Sequence, residues 1–367
     1  MVSSGSPPLL LTNYRGGGIG DFGLTLEAHL RARLNGLTTE ETSIDGRGSF
    51  GQATRAAVHP GLLIVNLGLT AWGRSGPRNL VGFTAIGTHR ALGYPTKVIV
   101  HHAIEIFDLR ETGYEVSPLV LKGAHLALAQ VKDCELIVFS PRLRDMLADL
   151  YGARRLWLVP HPGELGRKRV SGTTPGRAKV VHAGYWAPYK GIDRFIEIAG
   201  RMKDRAEFVL VGRPHSALSS DTGFRQKVDE WTALGQRAGV RMTGFLSHAE
   251  LDDEFSTLTV GLLPYTSVSG ASSSFNLFAE RGIPVVATDL PEFRYLETLG
   301  AGVLIAPPTV DGLSSAIARL LGDRELWLAL SKRQVEFVEK FSWDRFVGTL
   351  LAAPVGPHTA GSNPPGA

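Results

Sequence analysis

The chain has 367 residues, more than the ~250–300 at which a single hydrophobic core usually stops growing, so two domains with a cleft between them are expected. With 43% hydrophobic and 20% charged residues and no internal period of ~20–50 residues, the composition is globular and excludes disordered, solenoid and fibrous classes. The 39 Lys+Arg against 35 Asp+Glu give a formal charge of +4 without any dense basic run, which argues against nucleic acid and suits an anionic ligand or an anionic membrane surface.

Cys134 is the single cysteine, so no intramolecular disulfide can form and a reducing compartment is expected. It opens an apolar run and reads as a small core hydrophobe. The first eleven residues have no basic start, and no window reaches the ~18 apolar residues of a spanning helix. The expectation is a cytoplasmic protein, with a peripheral contact at the inner face of the membrane left open.

Short apolar runs alternate with helical patterns along the chain, the sign of parallel sheets covered on both faces. In the first half, strands are expected at 9–12, 62–67, 97–101, 135–139 and 156–159, with amphipathic stretches at 22–34, 78–92 and 141–150 between them. A polar stretch rich in Gly, Pro, Ser and Thr at 163–177 reads as a linker. The pattern restarts with strands at 179–183, 207–211, 240–243, 259–263, 285–288 and 302–305. It ends in helices at 311–321, 324–341 and 343–351, the last placed to cross back to the first domain. The predicted organisation is α/β: two Rossmann-like domains in tandem at 1–165 and 179–352, a linker at 166–178 and a disordered tail at 353–367. Such domains bind ligands beyond the carboxyl ends of their strands, so the loops facing the interdomain cleft are where chemistry is sought.

Four loops stand out. Gly16-Gly17-Gly18-Ile19-Gly20 follows the first strand and opens a helix, where glycine lets backbone N–H groups approach an anion or a sugar. A dinucleotide fingerprint and a ligand-free tight turn are the competing readings. His101-His102 ends a strand at the cleft, and adjacent strand residues point to opposite faces, so one of the two is a candidate catalytic group and a hydrogen-bonded strand-end histidine is the alternative. No zinc pattern accompanies them. Gly184-Tyr185-Trp186-Ala187-Pro188-Tyr189-Lys190-Gly191 places a lysine before a helix, suited to phosphate oxygens, against a solvated surface lysine. Ser267-Val268-Ser269-Gly270-Ala271-Ser272-Ser273-Ser274-Phe275-Asn276 reads as a serine-rich, anion-binding helix start, against simple N-capping by one serine.

These residues, in order and spacing, resemble the C-terminal domain of retaining GT-B glycosyltransferases of family four, the glycosyl transferases group 1. The matching positions are Gly184 with Lys190-Gly191, Val211-Gly212, Thr243-Gly244-Phe245-Leu246, Leu263-Pro264, Gly282-Ile283-Pro284-Val285-Val286-Ala287-Thr288 and Phe341-Ser342-Trp343-Asp344. The resemblance implies a GT-B fold, a donor diphosphate at Lys190, a base near Phe245 and Leu246, and His101 or His102 beside the transferred sugar. It places Gly18, Gly20, Gly184, Tyr185, Gly212, Ser269, Gly270, Ala271, Ser272 and Ser273 around the donor. The family's arginine shortly after the glycine has no counterpart here. Its two glutamates fall on Ser269 and Leu277, or on Val268 and Asn276. Asn276 and Glu280, one turn apart on the same helix face, are the remaining candidates for the ribose.

The expected function is transfer of a hexose from a nucleotide diphosphate sugar to a hydroxyl, with retention, using the nucleotide sugar as co-substrate and neither a further cofactor nor a metal. The acceptor is expected to be a small molecule, a glycolipid or a glycan. The missing arginine and glutamates motivate a rival, a non-catalytic sugar- or nucleotide-binding subunit, and an epimerase is a third reading.

Overall fold

Short runs of leucine and β-branched residues, apolar on both faces, are what a strand inside a parallel sheet requires, and they set the architecture. The structure is a computed structural model describing residues 6–12, 17–42, 49–68, 76–101, 118–170, 176–215, 222–268 and 272–352. His102, Ser269, Gly270, Ala271 and the tail at 353–367 lie outside the described residues.

The first sheet comprises β1 (Leu9–Thr12), β2 (Thr38–Glu41), β3 (Leu63–Leu67), β4 (Thr96–Val100), β5 (Glu135–Val138) and β6 (Leu156–Leu158), in the order β2-β1-β3-β4-β5-β6. All neighbouring strands are parallel. Helices α1 (Gly17–Arg33), α2 (Ser49–Val58), α3 (Gly76–Ala91), α4 (Pro118–Gln130) and α5 (Pro141–Tyr151) connect them. The strand β2 escapes sequence reading because Thr38-Thr39-Glu40-Glu41 is polar, which only an edge strand tolerates. Helix α1 begins at Gly17, so Gly18 and Gly20 are first-turn helical residues rather than loop residues.

The second sheet comprises β7 (Lys179–Ala183), β8 (Glu207–Val211), β9 (Arg241–Gly244), β10 (Thr259–Leu263), β11 (Val285–Thr288) and β12 (Val303–Ala306), in the order β12-β11-β10-β7-β8-β9. It too is parallel throughout. Its helices are α6 (Ile192–Met202), α7 (Thr222–Ala238), α8 (His248–Glu254), α9 (Ser273–Ala279), α10 (Pro291–Thr298), α11 (Val310–Gly322) and α12 (Arg324–Lys340). In α6 the three-to-four spacing of Ile192, Phe195, Ile196, Ala199 and Met202 gives one apolar stripe, and all five are buried against the sheet.

Helix α13 (Trp343–Leu351) leaves the second unit and completes the first. Its buried Trp343, Phe346, Val347 and Leu350 pack with Leu10, Phe22, Leu26 and Ile64, at about 1.5–3 kcal/mol for each large side chain. Buried Lys97 secures the end of this helix by donating to the Ala352 carbonyl at 2.9 Å. Cys134 is fully buried in the first core, and burial pushes its thiol up to about 12, so it acts as a hydrophobe.

Candidate functional site

In the second sheet the chain reverses its strand order between β7 and β10, and a ligand crevice opens at such a switch point. Lys190 arrives there from a single 3-10 turn, Pro188–Lys190, closed by Gly191 at φ 69°. A Cβ on Gly191 would stand 2.0 Å from the Pro264 carbonyl, so only glycine lets the turn sit against the loop after β10. The Lys190 side chain is 8% exposed, and its ammonium donates to the Tyr265 hydroxyl at 2.9 Å and to Ser274 Oγ at 3.2 Å. It also lies 4.7 Å from the Tyr265 ring centroid. Burial works against the charge, while Tyr265 and Tyr189 support it, and the pKa stands above the usual lysine value. Lys190 is therefore charged at neutral pH. No carboxylate among the described residues forms an ion pair with it.

This is not the solvated surface lysine that sequence alone allowed. Gly184, at φ 125°, forms the floor beneath the ammonium: a Cβ there would be 2.5 Å from Ser274 Oγ and 3.5 Å from Lys190 Nζ. The serines divide their work. Ser272 caps α9 by accepting from the Phe275 N–H at 3.3 Å, Ser273 is exposed, and Ser274 turns under Lys190. Fully buried His182 donates to the Leu262 carbonyl through Nδ1 at 3.0 Å. Burial first, and the Lys190 charge second, lower its pKa to about 3, so it adds no positive charge.

Three strand-end glycines, Gly184, Gly212 and Gly244, have φ of 125°, 121° and 75°, which favours glycine at each. Their backbones are zipped together. Gly212 donates to Gly244 O at 2.8 Å, and a Cβ on Gly212 would stand 1.9 Å from the Gly184 carbonyl. The residue after each glycine therefore meets its neighbours: the Arg213 guanidinium lies 5.8 Å from the Tyr185 ring and 5.7 Å from the Phe245 ring. Phe245 is 68% exposed, whereas Leu246 packs against the core. His215 meets Tyr185 edge-on at 5.4 Å, and burial and the Lys190 charge lower its pKa.

Across the cleft, His101 follows β4 and donates Nε2–H to Asn66 Oδ1 at 2.6 Å. Asn66, at the end of β3, donates in turn to Thr12 Oγ1 at 3.0 Å and to the Ile19 carbonyl at 3.1 Å. Three strand ends are thus tied by one polar chain, over which α1 packs closely because a Cβ on Gly23 would meet Thr12 Oγ1 at 2.2 Å. Beside it, Thr12, Gly20, Leu24, Glu27, Arg31, Thr39 and Glu41 line a groove of about 230 Å³.

Between the two sides lies a cavity of about 20 Å³, lined by Phe139 and His161 from the first unit and by Ser272, Phe275, Asn276, Glu292 and Phe293 from the second. It shares Ser272 with the Lys190 cluster, through Tyr265, and Phe139 with the surroundings of His101. The seam around it is hydrogen-bonded. Asn276 donates to Pro162 O at 2.9 Å and to His161 Nδ1 at 2.8 Å, and Ser140 Oγ donates to Glu292 Oε1 at 3.2 Å. Glu280 accepts from the Glu164 N–H at 3.0 Å. Burial raises the Glu280 pKa to about 7, pushes that of Glu292 upward, and lowers that of His161 to about 4.

Asn276 and Glu280 do share a helix face, but that face meets the chain segment 161–164 rather than the Lys190 cluster. Leu277, one of the two positions on which the resemblance places the second glutamate, packs against the core, and Asn276 is the other. Asn66, Tyr265, His161, Glu292 and Arg213 were not singled out from sequence. A signal existed only for Asn66, a lone amide in an apolar strand, and for Arg213, directly after a motif glycine.

Residues 177–323 match the family model described as glycosyl transferases group 1. No curated protein matches the chain by sequence. Among solved structures, the sucrose-phosphate synthase of Thermosynechococcus elongatus superposes with a TM-score of 0.70 at 16% identity, covering 94% of this chain and 98% of that one. Anabaena HepE in complex with UDP-glucose gives 0.68 at 14% identity, with 94% and 99% covered. WaaG, a glycosyltransferase involved in lipopolysaccharide biosynthesis, gives 0.59 at 12% identity, with 94% and 99% covered. The chain has the GT-B fold of these structures, and its second unit carries the match to the glycosyl transferases group 1.

Proposed function

We propose that the chain transfers a hexose from a nucleoside diphosphate sugar to a hydroxyl acceptor, with retention at the anomeric carbon, and that Lys190 receives the diphosphate. The observation that carries the reading is a buried ammonium at the β7/β10 switch point whose only described hydrogen-bond partners are two hydroxyls. Burying a charge without a counter-ion costs several kcal/mol, and an anionic ligand is the natural compensation. As the bond from the anomeric carbon to the diphosphate oxygen breaks, negative charge grows on that oxygen and Lys190 meets it. The acceptor hydroxyl attacks from the same face and passes its proton to the departing phosphate oxygen, so no protein nucleophile is required.

The sugar is assigned to the seam between Lys190 and His101. Its present cavity of about 20 Å³ has room for about one water, so the two units part to admit a donor. His101, held by Asn66, packs against Phe139, which lines this cavity. The polar groove of Glu27, Arg31, Thr39 and Glu41 suits a hydroxyl-rich acceptor, and it adjoins the same polar chain at Thr12. HepE is described in complex with UDP-glucose and Staphylococcus aureus TarM with UDP, which makes UDP the first nucleotide to try here. No described helix is long and apolar enough to cross a membrane.

The experiment is a panel of UDP- and GDP-sugars, with nucleoside diphosphate release followed with and without hydroxyl acceptors, and the anomeric configuration of product read by NMR. Release that depends on donor and acceptor supports the reading. The absence of a carboxylate from both candidate pairs, Ser269 with Leu277 and Val268 with Asn276, favours a second one: a nucleotide-binding subunit without turnover. Tight UDP binding with no release from any donor would select it.

A further inference from the structure

We propose that Arg213 is a second binding residue for the donor diphosphate, closing on the phosphate remote from Lys190; this rests on the donor-site reading above. A nucleoside diphosphate carries more than one negative charge, and Lys190 can meet one of them. The crevice therefore needs another cation within reach of the β7 end. His182 and His215 do not supply it, because both have pKa values lowered by burial and by Lys190 itself.

Arg213 has the position and the freedom. Lys190 works on the β10 side of Gly184, through Tyr265 and Ser274, and Arg213 leaves β8 on the opposite side. Neighbouring strands stand about 4.8 Å apart, so two side chains flanking β7 can converge on one diphosphate. The loops carrying them are locked together: Trp186 donates to Arg213 O at 2.8 Å and His215 donates to Trp186 O at 3.1 Å. The guanidinium is exposed, and no carboxylate among the described residues pairs with it. Tyr185 and Phe245 hold it by their ring faces, which limits its wandering and leaves the N–H fork available for a bidentate contact to phosphate.

The test uses the full chain and its Arg213→Ala, Arg213→Lys and Lys190→Ala variants, with UDP and GDP titrated by calorimetry and uridine and guanosine by NMR. Arg213→Ala should weaken binding of the diphosphate that the wild type prefers by about ten- to a hundredfold, the span of a charged hydrogen-bonded contact, and leave the nucleoside unchanged. Arg213→Lys should fall between, since it keeps the charge and loses the fork. Equal losses for diphosphate and nucleoside would place Arg213 on the base and overturn the proposal. Loss in Lys190→Ala with unchanged affinity in Arg213→Ala would overturn it alone. If the wild type binds neither nucleotide, or Lys190→Ala binds them normally, the donor-site reading fails and the proposal with it.

Discussion

Replacing Lys190 with methionine lets its part in binding be read separately from its part in folding. Methionine keeps the apolar stem and removes the ammonium. The fold loses the ammonium's hydrogen bonds to Tyr265 and Ser274, each worth about 1.5–3 kcal/mol as a contact to a charged group, and is relieved of the ammonium's desolvation; because the pKa is held above the usual lysine value, the lost contacts outweigh that relief. Unfolding free energy should therefore fall, by about 1–3 kcal/mol. Affinity for UDP or GDP should fall by about 1.5–3 kcal/mol, a charge-assisted contact. Denaturant unfolding with and without nucleotide reads both at once. At a concentration of about 100 times the wild-type Kd, nucleotide adds about 2.7 kcal/mol of stability, and a variant binding about thirtyfold more weakly would gain under about 1 kcal/mol. A Lys190→Met protein that is strongly destabilised yet retains the full nucleotide increment would refute the argument, since Lys190 would then be a structural post.

Gly184→Ala should weaken nucleotide binding and lower the unfolding midpoint, because its Cβ would enter Ser274 Oγ at 2.5 Å on a backbone at φ 125°; adding Ser274→Ala should restore part of the stability, and no recovery in the double variant would contradict the contact. His101→Ala should lose turnover while nucleotide affinity by calorimetry stays within about twofold, as its described partner is Asn66 on the far side of the cleft from Lys190. Parallel loss of affinity would move His101 to the nucleotide. Glu280 sets a pH dependence. Its folded pKa of about 7 lies above the ordinary 4.5, so the folded state holds the extra proton and stability declines as pH rises from 4.5 to 7, then levels. Glu280→Gln should remove a decline on the order of 3 kcal/mol, and identical pH profiles for wild type and variant would contradict the buried carboxyl.

The strands of both sheets were legible because parallel strands buried on two faces are apolar runs, and Leu9–Thr12, Lys179–Ala183 and Glu207–Val211 stand where the runs do. The polar edge strand Thr38–Glu41 offered no such run. At the site, Lys190 was visible from its place between a glycine and a helix, but its burial was not, because Tyr265 and Ser274 lie 75 and 84 residues away. Helical spacing put Asn276 and Glu280 on one face. What that face meets depends on how the two units dock, and spacing within a helix carries no record of docking. Gly20 shows the converse limit: a glycine run looks the same whether it makes a loop or, as here, the first turn of a helix.

A crystal structure of the wild-type chain with UDP or GDP tests the central claim most directly. A diphosphate oxygen should lie about 2.7–2.9 Å from Lys190 Nζ, above Gly184 at the ends of β7 and β10. A nucleotide bound elsewhere, with Lys190 still bonded only to Tyr265 and Ser274, would contradict it.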